Sequence, residues 1–275
     1  MTNLRNEAPI GVFDSGLGGL TVVRALRELL PREDLVYLGD TARVPYGTRS
    51  PQTVVNYAHA CARVLREHRA KLLVIACNTV SALALDALAN ELFYPVLGTV
   101  RPGTRAALSQ SPRGRIGVLA TPATARSGAY ARAAAELQPG AHVFVQPAPL
   151  LVPLIEEGWL DGDVPRLALR RYLEPLIAHD VDALLLGCTH YPLLEPLLSA
   201  ELAALGGRPL PVIDSASAIA GEVAALIDAK HLATERDDPG KLRIVVTDQA
   251  DDFQPTAERF LGGSLASTPV TAIDL

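Results

Sequence analysis

Cysteine is scarce in this chain, and no two cysteines lie close together. The 275 residues contain three of them, Cys61, Cys77 and Cys188. An odd number of widely spaced cysteines does not suit the disulfide framework of a secreted protein and fits a reducing cytoplasm better. Because no C-x-x-C pair is present, a thiol redox enzyme and a zinc site built on such a pair are both disfavoured.

Long apolar runs are also missing. No stretch approaches the roughly 20 apolar residues that a membrane-spanning helix needs. The first residues, MTNLRNEAPIGVFD, lack the cationic and apolar regions of a signal peptide. We therefore expect a cytoplasmic protein without a membrane segment.

Positive charge is not in excess. The chain has 25 Lys and Arg against 30 Asp and Glu, which gives a net charge of −5. This acidic balance gives no reason to expect nucleic acid or an anionic membrane as a partner. Because 49% of the residues are apolar and only 20% are charged, the composition also argues against a disordered chain.

Strand-like and helix-like segments alternate along the whole sequence. Short apolar runs such as PIGVFD, KLLVIA and DALLLG predict buried strands, and the longer amphipathic segments between them predict helices. This alternation is typical of an α/β fold in which crossover helices join the strands of parallel sheets.

The order of segments also repeats, faintly. A strand, polar turn and helix at DSGLGG precede a cysteine-bearing unit at LVIACNTVSA, and the same succession occurs at VLATPATARSG and LLLGCTHYPLL. We interpret the repeat as two similar α/β domains with largely parallel central sheets and an active site in the cleft between them. The predicted domains are residues 1–98 plus 212–275, and residues 99–211.

Cys77 and Cys188 occupy the most informative positions, because each directly follows a predicted strand. Ligands of open α/β sheets bind outside the carboxyl ends of the strands, so we expect both thiols to face one small molecule. Each thiol is also expected to lie at the start of a helix, where backbone amides favour the thiolate, the basic form. Cys61 lies inside a predicted helix and is interpreted as a small buried apolar residue.

Further polar residues follow the predicted strands. His190 is expected to tune Cys188 or act as a general acid, with a structural role as the alternative. Asp14 is either an acid/base auxiliary or the N-cap of the next helix, and Asn78 or Thr79 is expected to cap the helix after Cys77. The glycine-rich loop after Asp14 is not a dinucleotide fingerprint, because the third glycine of that pattern would fall at Thr21.

Weaker candidates lie in other turns and could contribute hydroxyl or carboxylate groups. They are Pro45-Tyr46-Gly47, Thr121, Asp214-Ser215 and Glu156-Glu157.

Four segments taken together resemble the glutamate racemases of the aspartate/glutamate racemase superfamily, in the family's order and spacing between about residues 10 and 220. The segments are F-Asp14-Ser15-Gly16-x-Gly18-Gly19, Asp40-Thr41-Ala42-Arg43-x-Pro45-Tyr46-Gly47, Ala76-Cys77-Asn78-Thr79 and Gly187-Cys188-Thr189-His190-Tyr191-Pro192. Each motif alone is only moderately specific, whereas four in register are specific.

The resemblance implies a cofactor-independent interconversion of L- and D-glutamate that supplies D-glutamate for peptidoglycan synthesis, with no metal and no cofactor. It implies that Cys77 and Cys188 are acid/bases on opposite faces of the α-carbon, assisted by Asp14 and His190 respectively. The residues that would bind substrate are Asp14, Ser15, Pro45, Tyr46, Gly47, Asn78, Thr79, Thr121, Thr189 and His190. Oligomeric state is left open, a homodimer included.

Three alternatives remain at this point. One is another two-cysteine member of the superfamily acting on aspartate, hydantoins or a broader set of amino acids. His190 counts against it, since aspartate racemases usually carry a glutamate there. The second is a regulatory binding protein whose racemase site is vestigial, and the third is the thiol redox enzyme already disfavoured.

Overall fold

The computed structural model describes residues 6–206, 209–249 and 253–275. Within these residues, strands and α-helices alternate as the sequence predicts. The strands are β1 (Ile10–Asp14), β2 (Leu35–Gly39), β3 (Leu72–Ile75), β4 (Val96–Gly98), β5 (Arg115–Ala120), β6 (His142–Pro147), β7 (Ala183–Gly187), β8 (Val212–Asp214), β9 (Leu242–Val246) and β10 (Val270–Ala272). The helices are α1 (Leu20–Leu29), α2 (Pro51–Glu67), α3 (Asn78–Glu91), α4 (Val100–Ser109), α5 (Pro122–Ser127), α6 (Ala129–Leu137), α7 (Leu151–Glu156), α8 (Asp163–Ala178), α9 (Glu195–Ala204), α10 (Ser215–Ala229) and α11 (Phe253–Leu261).

The strands form two parallel sheets, which confirms the predicted α/β fold. The larger sheet has the order β10-β9-β2-β1-β3-β4, and the smaller one β6-β5-β7-β8. Every neighbouring pair is parallel. Strands β1, β2, β3 and β7 are buried along their whole length, as expected when helices cover both faces of a sheet.

The predicted domain boundaries remain a prediction, but one strand lies on the other side of the proposed division at residue 212. Strand β8 pairs with β7, with Val212 opposite Leu184, and so belongs to the smaller sheet. Strands β9 and β10 return to the larger sheet, as proposed for the tail. The chain therefore leaves the smaller sheet after Asp214, whose carboxylate accepts the amides of Ala216 and Ser217 and caps α10.

Both sheets reverse their strand order beside a central strand. In the larger sheet, β2 lies on one side of β1 and β3 on the other; in the smaller sheet, β6 and β7 flank β5 in the same way. Open α/β sheets bind ligands at such switch points, outside the carboxyl ends of the strands. Each sheet of the described residues has such a switch point, after β1 and β3 in the larger sheet and after β5 and β7 in the smaller one.

One apolar cluster contains residues of both sheets. Buried residues of α1, such as Leu26, and of α10, such as Ile219, belong to the same cluster as Leu186 of β7. The two helices pack against each other. Within residues 6–206, 209–249 and 253–275, no helix combines the length and apolar character needed to cross a membrane.

A buried ion pair joins distant parts of the chain on the larger sheet. Lys71 Nζ lies 2.5 Å from Glu33 Oε2 and also donates to the carbonyls of Asn6 and Leu232, at 2.7 and 2.8 Å. The other carboxylate oxygen of Glu33 accepts the amide of Thr234 at 2.9 Å. Since each charge has several partners, the pair ties the start of β3 to the segment that leads into β9.

We expect Lys71→Met to lower the free energy of unfolding by about 3–5 kcal/mol, because it leaves Glu33 charged and buried without its partner. Urea unfolding at pH 7 measures the change. The control is Arg101→Met, which removes an exposed pair with Glu136 and should cost no more than about 1 kcal/mol. Similar losses for both variants would contradict the assignment.

Candidate active site

A cavity of about 170 Å³ lies where the carboxyl ends of the two sheets face each other. Every catalytic or substrate-binding residue implied by the family resemblance lines it except Asp14. The complete lining is Ser15, Gly16, Val44, Pro45, Tyr46, Gly47, Thr48, Cys77, Asn78, Thr79, Thr121, Pro122, Ala148, Pro149, Val152, Pro153, Glu156, Cys188, Thr189 and His190.

The two cysteines lie at the switch points of the two sheets. Cys77 follows β3 and Cys188 follows β7, and each lies one strand away from the central strand of its sheet. Both side chains are 6% exposed and line the same cavity. Two thiols from distant segments thus meet at one small volume.

The thiol of Cys77 is held as a neutral group. Its sulfur lies 3.2 Å from the hydroxyl oxygen of Ser15. Burial and the nearby Asp14 carboxylate together raise the pKa of Cys77 to about 12, whereas the contact with Ser15 and the backbone amide of Val80 oppose the shift. The first turn of α3 thus favours the thiolate as expected, but burial outweighs it.

The helix after Cys77 begins differently from the prediction. Cys77 itself is the N-cap residue of α3, and the helix starts at Asn78. Asn78 and Thr79 do not cap it with their side chains, because both side chains bind partners outside the helix. Cys188 is followed by a short 3-10 turn, Tyr191–Leu194, and α9 begins only at Glu195; the predicted helix start at Cys188 is thus also wrong.

Asp14 lies beneath the cavity, at the carboxyl end of β1, and is completely buried. Its Oδ2 accepts the amide of Gly16 at 3.0 Å, and its Oδ1 has no hydrogen-bond partner among the described residues. Burial raises the pKa of the Asp14 carboxyl, although the positive charge of His190 opposes the shift. Gly19, not Asp14, is the N-cap residue of α1, so the helix-capping alternative for Asp14 is wrong.

The other thiol, that of Cys188, contacts His190, which in turn contacts Glu156. The sulfur of Cys188 is 3.8 Å from Nδ1 of His190, and Nε2 of the same ring is 3.1 Å from Oε1 of Glu156. Burial alone would lower the pKa of His190, but Cys188 and Glu156 outweigh it and raise the pKa to about 10. His190 therefore keeps its proton at neutral pH, beside the Cys188 sulfur.

The glycine-rich loop after β1 packs closely against His190 and Thr189. A Cβ atom at Gly18 would lie 2.4 Å from both Nδ1 of His190 and Oγ1 of Thr189. The hydroxyl of Thr21 in α1 donates to the carbonyl of Thr189 at 3.1 Å. The larger sheet's first loop therefore packs directly on the Cys188 segment, and only glycine fits at position 18.

Hydroxyl groups from both sheets meet on the Cys77 side of the cavity. The hydroxyl oxygens of Thr79, Thr121 and Thr124 form a ring with separations of 2.9, 3.1 and 2.9 Å. Thr79 belongs to α3, whereas Thr121 caps α5 after β5. Nearby, the amide of Asn78 donates to the hydroxyl of Tyr130 at 2.9 Å. This arrangement gives an anionic or cationic ligand several polar partners.

Tyr46 contributes its ring, not its hydroxyl, to the cavity. The hydroxyl donates to the buried Asp40 carboxylate, which also accepts Nε of Arg43 at 2.7 Å and the hydroxyl of Thr247 at 2.8 Å. The predicted use of this hydroxyl as a ligand contact therefore does not fit the structure. Gly47 beside it faces Thr121, whose Cβ would be 2.9 Å from a Cβ at position 47.

Sequence reasoning missed one wall of the cavity. Ala148, Pro149, Val152 and Pro153 form an apolar surface and carry no polar group that could have drawn attention. Glu156 was one of several weak candidates, and the signal that its carboxylate reaches His190 exists only in three dimensions. Of the other weak candidates, Asp214 caps α10, Ser215 lies 3.3 Å from the Asn78 amide, and Glu157 does not line the cavity.

The comparisons with known proteins agree with one another. A model of the Asp/Glu/Hydantoin racemase family matches residues 10–223. A glutamate racemase of Syntrophus aciditrophicus is 48% identical over 257 residues, 94% of each chain. One of Neisseria gonorrhoeae is 43% identical over 274 residues, which is 99% of this chain and 100% of the relative.

Solved structures of high similarity include two glutamate racemases. The isoform RacE1 from Bacillus anthracis has a TM-score of 0.92 and 36% identity, with 98% of each chain covered. The protein from Francisella tularensis, crystallised in complex with D-glutamate, has a TM-score of 0.89 and 34% identity, covering 98% of this chain and 97% of that one.

We expect the two cavity thiols to react at different rates. At pH 7.5, substoichiometric iodoacetamide should alkylate Cys188 first, because protonated His190 stabilises negative charge on its sulfur. This advantage should persist until the pH rises through about 10, where His190 loses its proton; Cys77 should react appreciably only as the pH approaches 12. Peptide mass spectrometry measures the order, and prior alkylation of Cys77 would contradict it. The completely buried Cys61 is the unreactive internal control.

Proposed function

This chain belongs to the Asp/Glu/Hydantoin racemase family, and we propose that Cys77 and Cys188 interconvert its substrates, L- and D-glutamate, by exchanging the α-proton from opposite faces. The chain acts as a glutamate racemase, as its full-length relatives do. The observation that carries the two-cysteine mechanism is that the switch points of two facing sheets each supply one thiol to the same cavity.

The chemical difficulty lies in the α-proton, which is very weakly acidic beside an ionised carboxylate. Fixed donors in a site that excludes water can stabilise the developing negative charge, and such preorganised electrostatics often supplies the largest part of catalysis. The hydroxyls of Thr79 and Thr121, which line the cavity, are suitable donors. The apolar wall at Val152 and Pro153 limits the access of water to the same volume.

The two thiols have different neighbours. Cys188 lies beside the His190 imidazolium, which stabilises negative charge on its sulfur, and Cys77 rests as a thiol beside Ser15. In one direction the Cys188 thiolate removes the α-proton from one face, and the Cys77 thiol donates its proton to the other. This leaves Cys188 as a thiol and Cys77 as a thiolate, which together are the form that converts the other enantiomer.

The side chains behind the thiols assist them. Asp14, whose pKa is raised by burial, lies close to Cys77 and can share the proton of that thiol. Glu156 orients His190 and stabilises its positive charge. Because Asp14 does not line the cavity, we assign it a role through Cys77 and not a direct contact with glutamate.

We assign the lining residues to different parts of glutamate recognition. Ser15, Asn78, Thr79, Thr121 and Thr189 hold the ammonium and carboxylate groups. Pro45, Gly47 and the ring of Tyr46 close the side of the cavity, and His190 contributes its charge. The D-glutamate produced feeds peptidoglycan synthesis.

Replacement of either cavity cysteine should abolish the reaction. We expect Cys77→Ser and Cys188→Ser each to reduce kcat for racemisation at least about 10³-fold, because each removes one of two required acid/base groups. Circular dichroism of glutamate follows the reaction in both directions. The control, Cys61→Ser, alters a buried cysteine outside the cavity and should stay active; an active Cys77→Ser or Cys188→Ser variant would disprove the mechanism.

Isotope incorporation distinguishes two bases from one. In D₂O without added cofactor, newly formed D-glutamate should carry deuterium at the α-carbon while the remaining L-glutamate is still protonated early in the reaction. The reason is that the product proton comes from the second thiol, which has exchanged with solvent. Proton NMR of the separated enantiomers measures this, and substrate that gains deuterium as fast as product would indicate a single base.

A further inference from the structure

We propose that Arg259, in the last turn of α11, is a positioning residue that holds the Glu156–His190 pair beside Cys188. The tail of the chain would then control the reactivity of one of the two thiols and not the other. This inference rests on the roles proposed above for Cys188 and His190.

The guanidinium of Arg259 binds the end of α7. Its Nη1 donates to the carbonyl of Ile155 at 3.2 Å and to that of Glu156 at 3.3 Å. The last carbonyls of a helix have no partner within the helix, and a cation there is favourable both as a donor and towards the helix dipole. Arg259 therefore fixes the backbone that carries the Glu156 side chain.

The turn after α7 is shaped to admit this guanidinium. Gly158 has a φ of +76°, a conformation that glycine adopts readily and side-chain-bearing residues rarely adopt. A Cβ atom at this position would lie 3.2 Å from Nη2 of Arg259. The backbone conformation therefore favours glycine at the point of contact.

A second contact from α11 reaches the same group. The ring of Phe260, the residue after Arg259, meets the ring of His190 edge-on, with the centroids 4.9 Å apart. Two consecutive residues of α11 thus contact the Glu156–His190 pair. Arg259 binds the backbone of Glu156, and Phe260 contacts the imidazole ring of His190. The contact is local to the Cys188 side of the cavity.

These contacts join elements of the two sheets. Helix α11 packs on α1 and precedes β10 of the larger sheet, whereas α7 follows β6 of the smaller one. Any motion that opens the cavity at this edge must break the bonds between Arg259 and the end of α7. Release of product and loss of the Glu156–His190 geometry would therefore be coupled.

The charge around His190 explains why the position of Glu156 matters. The ionisable groups that act on His190 are Cys188, Glu156 and Asp14, and the neighbour from α11, Phe260, is uncharged. The Glu156 side chain is 45% exposed, so water competes with His190 for its carboxylate. Without Arg259 the last turn of α7 loses an anchor, and Glu156 can turn towards solvent.

The test uses the full chain with Arg259→Leu, which removes the donor, and Arg259→Gln, which keeps an uncharged amide. Alkylation rates of Cys188 and Cys77 are measured in the same sample between pH 6 and 10, together with kcat. We expect Arg259→Leu to slow alkylation of Cys188 at pH 7.5 about tenfold and to lower kcat to a similar extent, the scale of one lost hydrogen bond. Alkylation of Cys77 should not change.

The control is Gln254→Ala on the same helix, which removes only an exposed contact with Glu258 and should leave both rates unchanged. Arg259→Gln should fall between wild type and Arg259→Leu. If Arg259→Leu fails to fold by circular dichroism, Arg259→Gln decides alone. An unchanged ratio of the Cys188 and Cys77 rates, or an equal loss at both, overturns the inference and indicates a purely structural role.

Failure of the inference is distinguishable from failure of the proposed function. If Cys188→Ser stays active or wild-type Cys77 reacts first, the proposed roles of the thiols are wrong. If those results hold and the Arg259 variants keep the wild-type ratio, only the role of Arg259 is wrong.

Discussion

The whole site depends on the fact that two parallel sheets point their switch points at each other. A parallel sheet places all its carboxyl strand ends at one edge, and a reversal of strand order opens a crevice there. One such crevice can hold a ligand from one side only. In this chain two such crevices face each other, so a ligand in the cavity contacts functional groups from both sheets.

The neighbouring groups determine how the two thiols differ. Both sulfurs are equally inaccessible, yet only one has a cation beside it, and that cation is itself kept charged by a carboxylate at the rim of the cavity. The other sulfur lies above a buried carboxyl group and a serine hydroxyl. Low polarity around such groups strengthens every remaining interaction, so small differences in neighbours give the two thiols different electrostatic surroundings.

Much of this arrangement follows from the sequence. The alternation of apolar runs and amphipathic segments is enough to predict the parallel sheets, and polar residues at strand ends identify most of the cavity lining. The division at residue 212 does not anticipate the pairing of β8 with β7, because a three-residue strand carries no pairing preference. The hydroxyl of Tyr46 and the carboxylate of Glu156 could not be assigned either, since their partners, Asp40 and His190, are chosen by tertiary packing.

The ring of Thr79, Thr121 and Thr124 has a consequence for a site that must serve mirror-image molecules. Each hydroxyl is a rotor that can present a proton or a lone pair without any movement of carbon or oxygen. The hydroxyls of Thr79 and Thr121, which line the cavity, can therefore turn a proton towards an anion or a lone pair towards an ammonium without a change of backbone. Two enantiomers of equal free energy can then be held by one fixed frame, with the adjustment confined to hydrogen atoms.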